Sequence, residues 1–227
     1  MICIAHRGAS EHEPENTLRA FDAALALGVD AVELDVHLVD GHLVVIHDAR
    51  VDRTTNGSGP LTDYTFDRLR KLDAGRGERI PTLQEVVDLV RGRARLIIEL
   101  KGPGTLAPVA ALIQGLVRAG AAMYEQFLIS SFDHRAIERA LHLAPDLPRA
   151  PLIQGVPLGL AAFAEPLRPR SIHISQEFAP PELVDDAHRR GYEVFVYTVN
   201  HRDEIDQLRA RHVDGVFTND PGLLNER

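Results

Sequence analysis

The sequence predicts an α/β fold, a (β/α)8 or TIM barrel with a short inserted excursion after an early β-hairpin. Three observations lead there. Short β-type runs alternate with helix-type runs along most of the 227 residues, and alternation on that scale implies a parallel sheet with helical crossovers. Nine runs read as strands, one too many for the barrel. However, Leu38 and Leu43 are separated only by a turn containing Asp40-Gly41. A link that short cannot make a parallel crossover, so its flanking strands form an antiparallel hairpin and eight strands remain. Finally, no G-x-G-x-x-G opens the first helix, which disfavours an open doubly wound sheet.

The strands are expected at 2–5, 31–38, 43–47, 95–100, 126–130, 149–154, 171–175, 193–198 and 215–218. Asn16 is placed to cap a helix carrying Leu18, Phe21 and Leu25 at helical spacing, stopped by Gly28. Thr82 and Glu85 have capping-box spacing ahead of Val86, Val87 and Val90. Further helices are expected over 105–119, 134–143, 180–190 and 201–211. Segment 49–82 breaks the alternation. It is rich in Gly, Thr and Asp and reads as an excursion with one short helix near 66–72, inside a single domain spanning 1–227.

Hydrophobic residues make up 44% of the chain and charged residues 26%, which excludes disorder, collagen and a disulfide scaffold. The lone cysteine, Cys3, cannot form an internal disulfide, so a reducing compartment is permitted. The net charge of -8 argues against binding nucleic acid or anionic membranes. No signal peptide is readable, and no apolar run approaches the ~18 residues that span a bilayer. The expected setting is cytoplasmic. Only Lys71 and Lys101 of the 25 basic residues are lysines, so each lysine stands out.

The chemistry lies in acids on strands. Alternation puts Glu33 and Asp35 on one face of the second strand, and Glu99 shares a face with Lys101. All fall late in their strands, where barrel sites are built. Buried carboxylates are costly unless partnered. Three that converge can hold a hard divalent cation, and oxygen-only ligation suits Mg²⁺ or Ca²⁺. Salt bridges to arginine are the alternative for any one of them. His6 and His47 end the first strand and the hairpin strand. If the hairpin turn spans three residues, position 35 faces 47 and His47 lies opposite Asp35; a two-residue turn shifts that register. The two histidines can serve as general acid and base, or as ligands favouring Zn²⁺. Arg7 and Lys101 at the same rim suggest an anionic substrate, most simply a phosphate, unless they only pair with the carboxylates.

The motifs His6-Arg7-Gly8, Pro14-Glu15-Asn16-Thr17, Glu33-Leu34-Asp35-Val36, His47-Asp48 and Glu99-Leu100-Lys101 occur in order. Later come Asp52-Arg53-Thr54-Thr55-Asn56-Gly57, Ser130-Ser131-Phe132, Thr198-Val199-Asn200 and Asp214-Gly215-Val216-Phe217-Thr218-Asn219-Asp220-Pro221. Together they resemble the glycerophosphodiester phosphodiesterase family over essentially the whole chain, in its compact bacterial cytoplasmic form. The resemblance implies a TIM barrel that hydrolyses small glycerophosphodiesters to sn-glycerol 3-phosphate and an alcohol. It implies Glu33, Asp35 and Glu99 as metal ligands, His6 and His47 as the acid–base pair, and Arg7 and Lys101 as phosphate contacts. Phe132 would line the glycerol side, and Glu15 belongs near the site. The family picture allows the substrate's own 2-hydroxyl to attack first. Tyr197 departs from a frequent Trp. Two other readings stay open: a lysophospholipase D-like activity on lysolipids, marked by an exposed apolar rim, and a catalytically silent glycerophosphodiester-binding protein.

Overall fold

A computed structural model describes residues 1–225. The elements run β1 (Ile2–His6), α1 (Leu18–Ala26), β2 (Ala31–Val39), β3 (His42–Val45), α2 (Phe66–Leu69), α3 (Leu83–Val90), β4 (Arg95–Leu100) and α4 (Leu106–Arg118). They continue β5 (Phe127–Ser131), α5 (His134–Leu143), β6 (Arg149–Ile153), β7 (Ser171–Ser175), α6 (Pro181–Arg189), β8 (Glu193–Tyr197), α7 (Arg202–Ala210), β9 (Gly215–Thr218) and α8 (Gly222–Asn225). Eight strands pair in parallel in the order β1-β2-β4-β5-β6-β7-β8-β9, and β9 returns to β1 to close the barrel. The helices cover its outside. Among the described residues no helix is long and apolar enough to cross a membrane.

Alternation sorts the side chains into two layers. Ile4, Ile97, Leu128, Phe195 and Phe217 fill the barrel interior. Val32, Leu34 and Ile98 point outward and pack with Phe21, Val86 and Ile113 of the helices. Burying each such side chain contributes roughly 1.5–3 kcal/mol.

The overlong β2 shapes the mouth of the barrel. Residues 31–33 pair with β1 and 31–36 with β4. The remainder projects past β1, and there β3 joins it antiparallel. The hairpin turn has two residues, with Val39 opposite His42. Asp40 and Gly41 both take positive φ, 53° and 79°, which suits a type I′ turn. This corrects the three-residue register. Ile46, not His47, meets Asp35, donating its N–H to the Asp35 carbonyl at 3.0 Å. The strand also ends at Val45, so His47 stands beyond it.

The following segment carries a 3-10 turn, Leu61–Asp63, and the four-residue α2. Despite its polar composition, it builds a small core of Val51, Leu61, Leu69 and Ile80 against Val39, Val44 and Ile46. The chain then returns to its point of departure. Val45 N–H donates to the Pro81 carbonyl at 2.8 Å, and Val44 bridges Thr82. Thr82 opens α3 with the expected capping box.

Two local differences have physical reasons. The cap of α1 is Thr17, whose hydroxyl accepts from Ala20 N–H at 3.2 Å. Asn16 takes φ 57° instead and turns its amide into the barrel mouth. Between β6 and β7 the crossover is a 3-10 stretch, Leu160–Leu167, interrupted by Pro166, which lacks the N–H an α-helix interior requires.

Candidate active site

Strand register brings the acids together. His6 is the direct neighbour of Glu33 across β1 and β2, and Asp35 is the direct neighbour of Glu99 across β2 and β4. Glu33, Asp35 and Glu99 are all buried, and each offers a carboxylate oxygen within 4.8 Å of the others. Burial raises the Glu33 pKa well above the carboxylate range, and the charges of Asp35 and Glu99 add to it. Burial and Asp35 push Glu99 up to about 7, against the pull of Lys101. Asp35 Oδ2 accepts from Asn16 Nδ2 at 2.9 Å, while buried Oδ1 has no hydrogen-bond partner. Three crowded carboxylates with a spare buried oxygen fit a divalent cation, whose charge would remove the cost of ionising them together.

Two cations border the cluster. Arg7 has φ 57°, and its backbone N–H donates to Glu33 Oε2 at 3.0 Å. Its guanidinium donates to Glu15 at 2.9 Å and lies 3.3 Å from Asp35 Oδ2. Lys101 follows β4, with Nζ 3.0 Å from Glu99 and 3.9 Å from Asp35 Oδ1. The pairing with carboxylates anticipated as the simpler role of these cations is therefore present. Lys101 Nζ also lies 3.1 Å from His47 Nε2 and 5.9 Å from the Phe132 ring centre.

The histidines differ in surroundings. His6 Nδ1 lies 2.7 Å from Asn219 Oδ1. An amide oxygen only accepts, so Nδ1 carries the proton and Nε2 is left as a base. Burial, reinforced by Arg7, pulls the His6 pKa down to about 4. His47 Nδ1 lies 2.5 Å from Asp48 Oδ1, and its backbone carbonyl accepts from His37 Nε2 at 3.1 Å. Asp48 is held down at about 2 by Arg53 and by His47.

His6, Arg7, Glu33, His47, Glu99, Lys101 and Phe132 line one cavity at the C-terminal mouth of the barrel. Asp35 and Glu15 stand behind that lining, as partners of Arg7. The sequence profile of the glycerophosphoryl diester phosphodiesterase family matches residues 6–223. The chain belongs to that family. Membership makes it a phosphodiesterase, the class its ordered motifs imply. It is 39% identical to a glycerophosphodiester phosphodiesterase of Caldanaerobacter subterraneus subsp. tengcongensis, over 98% of this chain and 96% of that protein. A Bacillus subtilis glycerophosphodiester phosphodiesterase is 30% identical over 100% of this chain and 86% of its own length. Among solved structures, an Oleispira antarctica phosphodiesterase in complex with the product sn-glycerol-3-phosphate superposes with a TM-score of 0.90. It is 31% identical and covers 99% of this chain and 95% of that one.

Several contributors carry no role at the site in the sequence reading, where Asn16 is only a helix cap. Asn219, Asn16 and Asp48 stand inside the quoted motifs, but nothing in their spacing says which atoms they hold. His37 had a usable signal, since the alternation that pairs Glu33 with Asp35 extends to it. His173 is fully buried on β7 and lines the cavity, with Nε2 3.0 Å from Ser171 Oγ and Nδ1 without a hydrogen-bond partner.

Proposed function

We propose that the chain hydrolyses glycerophosphodiesters to sn-glycerol 3-phosphate and an alcohol at this cavity. Glu33, Asp35 and Glu99 would hold a divalent cation, Mg²⁺ or Ca²⁺. When bound, that ion supplies positive charge to neutralise the phosphate and stabilise charge developing on its oxygens. The observation that carries the reading is the buried three-carboxylate cluster with its spare oxygen, set beside two cations and two histidines.

Arg7 and Lys101 bind and orient the phosphate, the guanidinium as a fork and the ammonium as a point charge. His6, neutral at Nε2, takes the proton from the attacking glycerol 2-hydroxyl as the new P–O bond forms and the alkoxide leaves, giving a cyclic phosphate that water then opens to sn-glycerol 3-phosphate. His47, with Asp48 on Nδ1, is suited to hold a proton on Nε2 and deliver it to the leaving alkoxide. In the structure Nε2 faces the Lys101 ammonium at 3.1 Å, so it takes up that proton once Lys101 engages the phosphate. Phe132 and Tyr197, edge to face at 6.1 Å, supply apolar wall for the glycerol carbons. The proposed setting is cytoplasmic; the lone Cys3 thiol, which burial pushes up to about 12 and keeps inert, is compatible with a reducing compartment.

The test is release of glycerol 3-phosphate from glycerophosphocholine by chelator-stripped protein with Mg²⁺ or Ca²⁺ restored. Turnover that returns with one ion and is absent in Glu33→Gln is the expected result. Absence of turnover with either ion overturns it.

A second reading has a specific observation behind it. Val156 and fully exposed Leu158 stand on the loop after β6, and exposed Phe132 follows β5. These apolar side chains at the C-terminal ends of adjacent strands would suit the acyl chain of a lysolipid. Faster release from lysophosphatidylcholine than from glycerophosphocholine, lost in Leu158→Ser, would favour it.

A further inference from the structure

Arg53, in the excursion after His47, is absent from the cavity lining yet touches both sides of the site. Its Nε donates to Asp48 Oδ2 at 2.7 Å. Its two terminal nitrogens donate to Glu15 at 2.6 and 2.9 Å. The far oxygen of Asp48 holds His47 Nδ1 at 2.5 Å, and Glu15 Oε1 also accepts from Arg7 at 2.9 Å. An unbroken chain of contacts therefore runs His47–Asp48–Arg53–Glu15–Arg7.

We infer that Arg53 is a positioning residue, one that fixes His47 and Arg7 relative to each other across the mouth of the barrel. The inference rests on the proposed roles of those two residues. Only a planar fork spans two carboxylates in this way, two bonds to one and one to the other, and a lysine ammonium cannot reproduce it. Arg53 is 48% exposed, so its ion pairs are screened and contribute little to overall stability. Their effect is geometric. Asp48 anchored on Arg53 presents a fixed acceptor to His47, and Glu15 anchored on Arg53 holds the Arg7 guanidinium toward the cavity and away from full collapse onto Asp35.

The test compares kcat, KM and Tm of the metal-loaded enzyme with glycerophosphocholine for wild type, Arg53→Ala, Arg53→Lys, Asp48→Asn, the double variant Arg53→Ala/Asp48→Asn, and His47→Asn. Arg53→Ala is expected to lower kcat roughly 10–100-fold, as loss of residues that orient a site does, with little change in Tm. Arg53→Lys stays impaired, and added guanidinium ion partly restores Arg53→Ala. The double variant is no slower than the worse single one, because both break the same chain. The inference is overturned if Arg53→Ala and Arg53→Lys turn over within about twofold of wild type, or if the two losses multiply. Should Arg53→Ala fail to fold, Arg53→Lys and Arg53→Gln carry the comparison. An inactive His47→Asn beside a full-speed Arg53→Ala sinks this inference alone. A fully active His47→Asn sinks the acid–base reading and this inference with it.

Discussion

His6 and Asn219 meet at 2.7 Å although 213 positions separate them in the chain. The first strand holds the imidazole, and the loop after the last strand fixes which ring nitrogen carries the proton. Barrel closure through β1 and β9 makes that contact.

The contact sets a pH dependence. As the proposed base, His6 must be neutral to accept a proton, so activity is expected to fall as pH drops through its pKa, which burial and Arg7 hold at about 4. The acidic limb of kcat/KM should therefore lie well below the ordinary histidine range. Asn219→Asp places a negative charge on Nδ1–H, raises the His6 pKa and moves that limb to higher pH. A limb that stays put in Asn219→Asp would remove His6 from the role of base.

Asn16 offers a test of the acid cluster that spares the fold. Its φ of 57° suits asparagine or glycine, and its side chain serves Asp35. Asn16→Gly should keep Tm nearly unchanged and weaken divalent-ion binding roughly 10–100-fold, the usual cost of losing a group that orients a ligand. Titration calorimetry on stripped protein reads it directly.

Glu99 gives a stability prediction with the opposite sign from most carboxylates. Its pKa in the fold is raised to about 7, so the fold favours its protonated form. That stabilisation is complete below about pH 4.5 and is lost as pH rises through about 7. In chelator, Tm of wild type should fall relative to Glu99→Gln across that window. Mg²⁺ or Ca²⁺ should close the gap for wild type, most strongly at the alkaline end. Parallel pH profiles for the two proteins would contradict the crowding of the three acids.

Gly8 allows Arg7 to stand where it does. It has φ 86°, and a Cβ there would sit 2.6 Å from the Ala20 carbonyl carbon. Gly8→Ala meets both backbone strain and overpacking, so a loss of about 2–5 kcal/mol is expected. Urea unfolding measures it, and a loss under ~1 kcal/mol would mean that α1 shifts freely, below the cost typical of overpacking.

The barrel was legible because its signals are local or countable. Strand–helix alternation and an Asp-Gly turn too short for a crossover gave eight parallel strands and one hairpin. Period-two alternation likewise put Glu33 and Asp35 on one face. What failed depended on a single residue of spacing or on distant partners. Asp40-Gly41 alone fills the hairpin turn, so the register moved by one and His47 reaches the site from beyond the strand. Asn16 has the chemistry of a helix cap, but Thr17 serves equally well, and only the folded barrel shows that Asp35 has claimed the asparagine. The Glu15–Arg53 and His6–Asn219 contacts join segments whose separation in sequence carries no trace of their meeting.

The excursion leaves the barrel after Val45 and comes back at Pro81, and those two residues are hydrogen-bonded at 2.8 Å. Its two ends therefore form a closed neck. The part beyond Arg53 can lengthen, shorten or be exchanged over evolutionary time without moving Asp35 or any barrel strand, because the neck takes up the difference and Ile46, His47, Asp48 and Arg53 keep their places beside it. Selection can thus remodel the outer part of the excursion as an interchangeable cassette, with His47 and the acids held constant.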